Sequence, residues 1–271
     1  MQPIEQRFRR PSVMGVINVT PDSFSDDGIY YRTAAAVALA WGMQEDGAAI
    51  VDIGGESTRP GSEGVDVDEE LRRVVPILER LAGVAVSIDT SKAEVARRAL
   101  ELGAELVNDI TALRGDPEMA GVVAGAGAYV CLMHMQGEPR TMQVDPTYDD
   151  VVDDVRAFLE ERLAFAVGQG IPEDHVALDP GIGFGKTVEH NFELVRRLGE
   201  LAAIGRPILV GFSRKSSLGK ILGDADATTG TTSASLGAAV AAFDRGATIL
   251  RAHDVREHVE ALTVAKAVAG E

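Results

Sequence analysis

Asp179 closes a short apolar run, Val176–Asp179, and a glycine-rich turn ending in Gly185-Lys186-Thr187 follows at once. That ending suggests a phosphate-binding loop, but the motif's first glycine falls at Pro180. Proline has no N–H to offer a phosphate. The stretch therefore reads as a strand that delivers a carboxylate to its end, before a turn that lets a ligand approach the backbone closely. Lys186 then only opens a helix. Asp89 and Asn108 close two other apolar runs. One carboxylate accepts two bonds side by side, so this set suits a flat heterocycle with an amino group next to a ring N–H, as on a pterin or guanine edge. Each of these residues also has a plainer reading as a cap of the next helix, Asp89 before Thr90-Ser91 more readily than Asp179 before Pro180-Gly181.

A second group has the opposite charge. Ile249, Arg251 and His253 share one face at the period of a strand, and Ser213-Arg214-Lys215 closes the preceding run. Arg251, His253, Arg214 and Lys215 make a basic corner in a chain with 26 Lys plus Arg, 42 Asp plus Glu and a net charge of −16. The overall balance argues against nucleic acid or an anionic membrane as partner, and a phosphate-bearing small molecule would need such a local cluster.

The elements that must position these residues are eight runs of strand length: Val13–Thr20, Ala49–Glu56, Val84–Thr90, Leu106–Thr111, Tyr129–His134, Val176–Asp179, Pro207–Ser213 and Thr248–Asp254. Helical patterns lie between them at Thr33–Asp46, Asp68–Leu81, Ser91–Leu102, Pro117–Ala126, Asp149–Gln169, Glu189–Leu201, Ser233–Asp244 and Val255–Val268. Thr90 or Ser91 would cap the third helix. Strand then helix, eight times over 271 residues, predicts a single-domain (β/α)8 TIM barrel, spanning about residues 12–268. An open doubly wound sheet is the competing topology. In a barrel the site lies at the C-terminal strand ends, here Asn18, Asp52, Asp89, Asn108, His134, Asp179, Ser213 with Lys215, and Arg251 with His253. The opposite ends, Ala49, Val84, Leu106 and Val176, are apolar.

Residues 1–12 are charged and no secretory h-region follows them. The most apolar stretch, around Gly121–Met133, is broken by glycine and shorter than the ~18 residues of a membrane span. The single Cys131 sits in an apolar run, excludes an internal disulfide and reads as a buried thiol. A cytoplasmic protein is expected. The loops Thr20–Gly28 and Gly54–Ser62 are long for strand-to-helix connections and rich in Gly, Pro and Ser, the composition of lids as well as of plain solvated loops. The loop Gln136–Tyr148 is also long, and its residue types assign it no chemistry.

Seven motifs in order resemble the dihydropteroate synthase family from Met14 to about Lys266. They are Gly15-Val-Ile-Asn-Val-Thr-Pro-Asp-Ser-Phe-Ser25, Asp52-Ile-Gly-Gly-Glu-Ser-Thr-Arg-Pro-Gly61, Ser87-Ile-Asp-Thr90, Asn108-Asp-Ile110, Asp179-Pro-Gly-Ile-Gly-Phe-Gly185, Ser213-Arg-Lys-Ser216 and Arg251-Ala-His-Asp254. The resemblance implies a TIM-barrel transferase that joins a dihydropterin methyl diphosphate to 4-aminobenzoate, releasing diphosphate. It implies that Asp89, Asn108, Asp179 and Lys215 hold the pterin with Asp52 nearby, and that Arg251, His253 and Asn18 take the diphosphate, Asn18 through Mg²⁺. Asp89, Lys215, Arg251 and His253 would be the catalytic set. Thr58, Arg59, Phe184 and Ser213 would shape the aminobenzoate pocket, and a homodimer is implied.

Two positions depart from the family pattern. Asp27 stands where a glycine is common, and Ser217 where an aromatic is common after Ser216. The first bears on loop stiffness and the second on helix packing. A methyltetrahydrofolate-dependent corrinoid methyltransferase is the alternative within the same barrel type, but it has no diphosphate to neutralise and leaves the basic corner unused. A non-catalytic pterin-binding protein is the alternative outside enzymes.

Overall fold

The computed structural model describes residues 1–19, 28–58, 61, 62 and 64–270. Its strands are β1 (Ser12–Asn18), β2 (Ile50–Gly54), β3 (Val86–Asp89), β4 (Leu106–Asp109), β5 (Tyr129–Met133), β6 (Val176–Asp179), β7 (Ile208–Val210) and β8 (Ala247–Ala252). All neighbours pair in parallel, and β8 returns to β1, so the sheet is a closed barrel rather than an open one. Every strand expected from the apolar runs is present.

The helices are α1 (Ile4–Arg7), α2 (Gly28–Glu45), α3 (Val67–Leu78), α4 (Ala93–Glu101), α5 (Met119–Ala126), α6 (Val151–Gly168), α7 (Val188–Arg196), α8 (Leu198–Ala202), α9 (Ser216–Ile221), α10 (Thr232–Asp244) and α11 (Val255–Ala269). Two short ones are additions to the expected set: α1, and α9 directly after Lys215. The single helix expected over Glu189–Leu201 is divided at Arg197, whose φ of −105° and ψ of 21° leave the helical region.

The strands are almost wholly buried because each has two apolar neighbours. Outward residues such as Val13, Ile17, Val51, Ile53, Ile88, Val107, Val130 and Leu132 pack beneath the helices in one large core. Inward residues Met14, Ile50, Leu106, Tyr129, Cys131, Ala177, Leu209 and Ile249 form a second core inside the barrel, which Ile4 and Phe8 complete from below. The charged N-terminal segment is thus a floor. Tyr129 Oη donates to the Gln2 carbonyl at 2.6 Å, Arg7 donates to the Ala49 carbonyl at 3.0 Å, and its guanidinium grips the Glu105 carboxylate. Cys131 is buried in this interior, where desolvation pushes its thiol well above its ordinary range.

The cap expected at Thr90 or Ser91 is not formed. Helix α4 starts later, at Ala93, and the N–H of Ala93 donates to Asp116 Oδ2 at 2.9 Å, while Thr90 Oγ1 accepts from the Lys92 N–H at 3.2 Å. Among the described residues no helix is long and apolar enough to cross a membrane.

Candidate active site

Inward positions alternate along each strand, so one step of two residues above the apolar interior brings polar side chains to the mouth. Ile50 gives way to Asp52, Leu106 to Asn108, Ala177 to Asp179 and Ile249 to Arg251. The register sets Asp89 beside Asn108, Gly54 beside Asp89, and Asn18 beside Gly54. A Cβ at Gly54 would lie in ordinary contact with both groups, 3.4 Å from Asp89 Cβ and 3.7 Å from Asn18 Oδ1. Gly54 thus lies between the two groups at one corner of the mouth.

Arg251 crosses the mouth. Its Nε donates to Asp52 Oδ2 at 2.7 Å and its Nη2 to Asp89 Oδ2 at 2.8 Å, and Asn108 Nδ2 donates to the same Asp52 oxygen at 3.0 Å. Asp89 is therefore not a helix cap. Burial raises its carboxyl above the usual range while Arg251 pulls it back, and Arg251 stays protonated because burial is outweighed by Asp52 and Asp89. Asp52 is fully buried and its Oδ1 has no hydrogen-bond partner among the described residues. A buried carboxylate stripped of its one cation is costly, so Arg251 holds this acidic cluster in place. It is less available as a free cation than strand periodicity implies.

His253 and Arg214 add less free charge to the basic corner than the sequence implies. Ser213 Oγ lies 3.1 Å from His253 Nδ1 and accepts from the His253 N–H at 3.2 Å. Burial, with Arg251 and Arg214 nearby, lowers the His253 pKa to about 4, so at neutral pH the ring offers hydrogen bonds and no charge. Arg214 is turned to Asp254, with Nε donating to Asp254 Oδ2 at 3.1 Å. Lys215, half-buried at the start of α9, sets its ammonium 4.4 Å from the centre of the Phe184 ring.

Asp179 is fixed by its own turn. One of its carboxylate oxygens accepts the Gly181 N–H at 2.7 Å, and burial raises its pKa to about 6. The turn glycines serve packing as much as access. Gly181, Gly183 and Gly185 have φ of 69°, 83° and 62°. A Cβ on Gly181 would fall 1.8 Å from the His134 carbonyl oxygen, and one on Gly185 would fall 2.4 Å from that of Gln136. These two glycines let the turn lie flush on the chain leaving β5. Gly183 instead makes room for Lys215, whose Cδ would be 3.2 Å from such a Cβ.

Lys186 does not act as a simple helix opening. It is 2% exposed, and its ammonium lies 2.9 Å from His134 Nδ1 and 3.0 Å from the Phe184 carbonyl. His134, a strand-end residue, is thereby turned from the mouth, its ring edge-on to Phe158 at 4.9 Å between centres. The loop after β5 braces the same turn, since Gln143 Nε2 donates to the Gly183 carbonyl and Tyr148 Oη to that of Gly185, both at 2.6 Å. Ser217 is buried and its Oγ accepts from Asn191 Nδ2 at 2.9 Å, while Asn191 Oδ1 accepts the Gly183 N–H at 2.7 Å. The departure at Ser217 thus gives Asn191 a hydroxyl partner and ties α9 to the turn.

The loop after β2 is rooted by Glu56. Its Oε1 accepts the Val65 N–H at 3.0 Å across the loop neck and its Oε2 accepts from Lys92 Nζ at 2.6 Å, which also reaches the buried Glu70 at 2.6 Å. Thr58 is half-buried in this loop. Arg59, Asp27 and most of the loop from Thr20 to Gly28 lie outside the described residues. Among the described residues no three His, Cys, Asp or Glu side chains group as a metal site.

Lys186, Asn191, Glu56 and Lys92 were not identifiable as supports from their types alone. A lysine inside a glycine-rich turn was the one usable signal, and P-loop counting leads away from it.

A closed parallel barrel that gathers carboxylates, an amide and cations at its C-terminal strand ends has the architecture of the (β/α)8 enzymes, with its polar groups at the rim where that fold places an active site. A family model described as pterin binding enzyme matches residues 14–253, and the chain belongs to that family. The dihydropteroate synthase of Escherichia coli strain K12 is 47% identical over 262 residues, covering 95% of this chain and 91% of the relative. The Xanthomonas albilineans dihydropteroate synthase solved with 4-aminobenzoic acid is 45% identical with a TM-score of 0.89, covering 97% of this chain and 95% of the other. The same organism's enzyme in complex with 7,8-dihydropteroate is 42% identical with a TM-score of 0.86, at the same coverages.

Proposed function

We infer that this chain is a transferase of dihydropteroate synthase activity, joining a dihydropterin methyl diphosphate to 4-aminobenzoate with release of diphosphate. The observation that carries the reading is the mouth itself: Arg251 ties Asp89 and Asp52 together with Asn108 on the same Asp52 oxygen, and Ser213 and His253 pair at the same end of the barrel, where β6 also ends in Asp179. Asp179 accepts the amino and ring N–H groups of the pterin edge, and Asn108 and Lys215 complete that contact. The Arg251 guanidinium keeps donors beyond the two held by Asp52 and Asp89. Those carboxylates therefore orient its fork toward the diphosphate without being displaced. Neutral His253 donates to the same anion.

The C–O bond to diphosphate breaks, the pterin supports the cation left on its methylene, and the aromatic amine forms the C–N bond and then sheds a proton. The amine is neutral at pH 7, so no strong base is needed. Stabilising the departing charge is the main task of the protein. Thr58, Arg59, Phe184 and Ser213 bound the aminobenzoate pocket in this reading.

Asn18 fits Mg²⁺ in a limited way. A single amide oxygen near Asp89, with no group of three His, Cys, Asp or Glu around it among the described residues, suits a cation that keeps its waters and is carried mainly by substrate phosphates. When bound, the ion neutralises diphosphate charge. A homodimer and a cytoplasmic setting belong to the same proposal, and sedimentation equilibrium checks the first. The decisive assay is diphosphate release that requires both 4-aminobenzoate and Mg²⁺. Release without the amine would point to hydrolysis instead, and methyl transfer to a corrinoid would favour the other barrel enzyme.

A further inference from the structure

Phe184 stands between two surroundings. Its ring packs on an apolar cluster of Ile110, Met133, Met135 and Met142, and the Lys215 ammonium lies over its centre. Its backbone is fixed from below, by a residue to which the reaction gives no task. The buried Lys186 ammonium bonds the Phe184 carbonyl at 3.0 Å and His134 Nδ1 at 2.9 Å, with the His134 carbonyl at 3.5 Å. Burial lowers the Lys186 pKa to about 7, and the contact holds in either form, since an ammonium donates to the neutral imidazole and a neutral amine can donate to it or accept from it. Burial and Lys186 itself lower the His134 pKa to about 2, which keeps that ring neutral. Lys186 therefore joins the end of β5 to the turn after β6, two segments whose backbones already touch at Gly181 and Gly185.

The two touching glycines fix the ends of the turn. Between them Gly183 is held by Asn191 and Gln143, and the Phe184 carbonyl by Lys186. A lysine kept for packing alone would be an expensive choice in this place, because an isolated buried ammonium is costly and an apolar side chain of similar length would fill the same volume. We propose that Lys186 is a positioning residue for the second substrate: its bonds to Phe184 and His134 fix the turn that presents the Phe184 ring, and it acts on 4-aminobenzoate through that ring. The proposal rests on the functional reading above.

The test compares wild type, Lys186→Met, Phe184→Ala and the double variant by steady-state kinetics, with calorimetry for the pterin diphosphate. Lys186→Met is expected to raise KM for 4-aminobenzoate about tenfold, near the loss of one buried hydrogen bond, and to change pterin diphosphate Kd by less than about threefold. Adding Lys186→Met to Phe184→Ala should leave KM where Phe184→Ala alone puts it. Multiplying effects, an equal loss of both substrates or an unchanged KM would overturn the proposal. Should Lys186→Met not fold, His134→Leu reads the same link and raises KM for 4-aminobenzoate, whereas His134→Gln, which keeps an acceptor, restores it; equal behaviour of the two overturns the proposal. A wild type that binds pterin diphosphate but shows no aminobenzoate-dependent turnover overturns the functional reading and the proposal together. Normal wild-type turnover with unaltered variants overturns the proposal alone.

Discussion

At the floor of the barrel, Met14, Ile50, Leu106, Ala177 and Ile249 meet Ile4 and Phe8 in an apolar plug. Two residues further along four of those strands stand Asp52, Asn108, Asp179 and Arg251. The same backbone and the same alternation produce an interior that gains from leaving water and a mouth that loses by it. Asp52 and Asp179 are 0% and 5% exposed, and burial raises Asp179 to about 6. The floor and the helix-covered outer core must therefore offset a mouth arranged for a ligand rather than for stability.

The strongest way to break this comparison is at the mouth. Asp179→Ala and Lys215→Ala are each expected to reduce condensation by more than about a hundredfold through lost pterin binding, the scale of removing one member of a buried charged contact. Asp179→Ala should keep or raise Tm at pH 7, because a raised carboxyl pKa means that ionisation opposes folding. Calorimetry with the pterin substrate and a melting curve check both, and near-native turnover would remove Asp179 from the pocket.

Phe8→Ala should behave in the reverse manner. A loss of about 3–5 kcal/mol of stability is expected, as for other buried phenylalanines, with turnover per folded molecule little altered. Denaturant titration beside active-site titration separates the two effects, and a selective loss of kcat would mean that the floor shapes the mouth.

The pH dependence sharpens the contrast next. Pterin binding needs ionised Asp179, so affinity should weaken about tenfold per unit as pH falls below about 6. The same group contributes in the opposite sense to stability: the folded state binds the proton more tightly than the unfolded chain, so its contribution falls as pH rises from about 4 to about 6. Affinity that stays flat down to pH 4.5 would contradict the assignment. The smallest effect expected is at the loop after β2, where Thr58→Ala should raise KM for 4-aminobenzoate about fivefold, near one neutral hydrogen bond. Equal weakening of pterin diphosphate binding would give that loop to the other substrate.

The floor and the mouth were not equally legible in the sequence. Eight strands could be marked because a strand buried on both faces writes an apolar run, and the polar residues that end those runs fall at one rim. The four-residue α1 is too short to show a period, so its plug is visible only once Tyr129 and Gln2 are side by side. The type and place of Arg251 are plain from its strand, but its bonds to Asp52 and Asp89 cross the barrel and depend on closure. Lys186 departs from its sequence expectation for a related reason. Its position before a helix is a local fact, whereas its burial is made by His134, 52 residues earlier.

The plug also bears on the order in which the chain can assemble. Ile4 and Phe8 belong to the beginning of the chain, yet Tyr129, Leu209 and Ile249 are needed to cover them. A nascent chain emerging from its N-terminus would carry two uncovered apolar side chains until most of the barrel had been made. Contacts over such separations slow folding and prolong the exposure of sticky surface. The segment that seals the finished barrel thus waits on strands made much later in the chain.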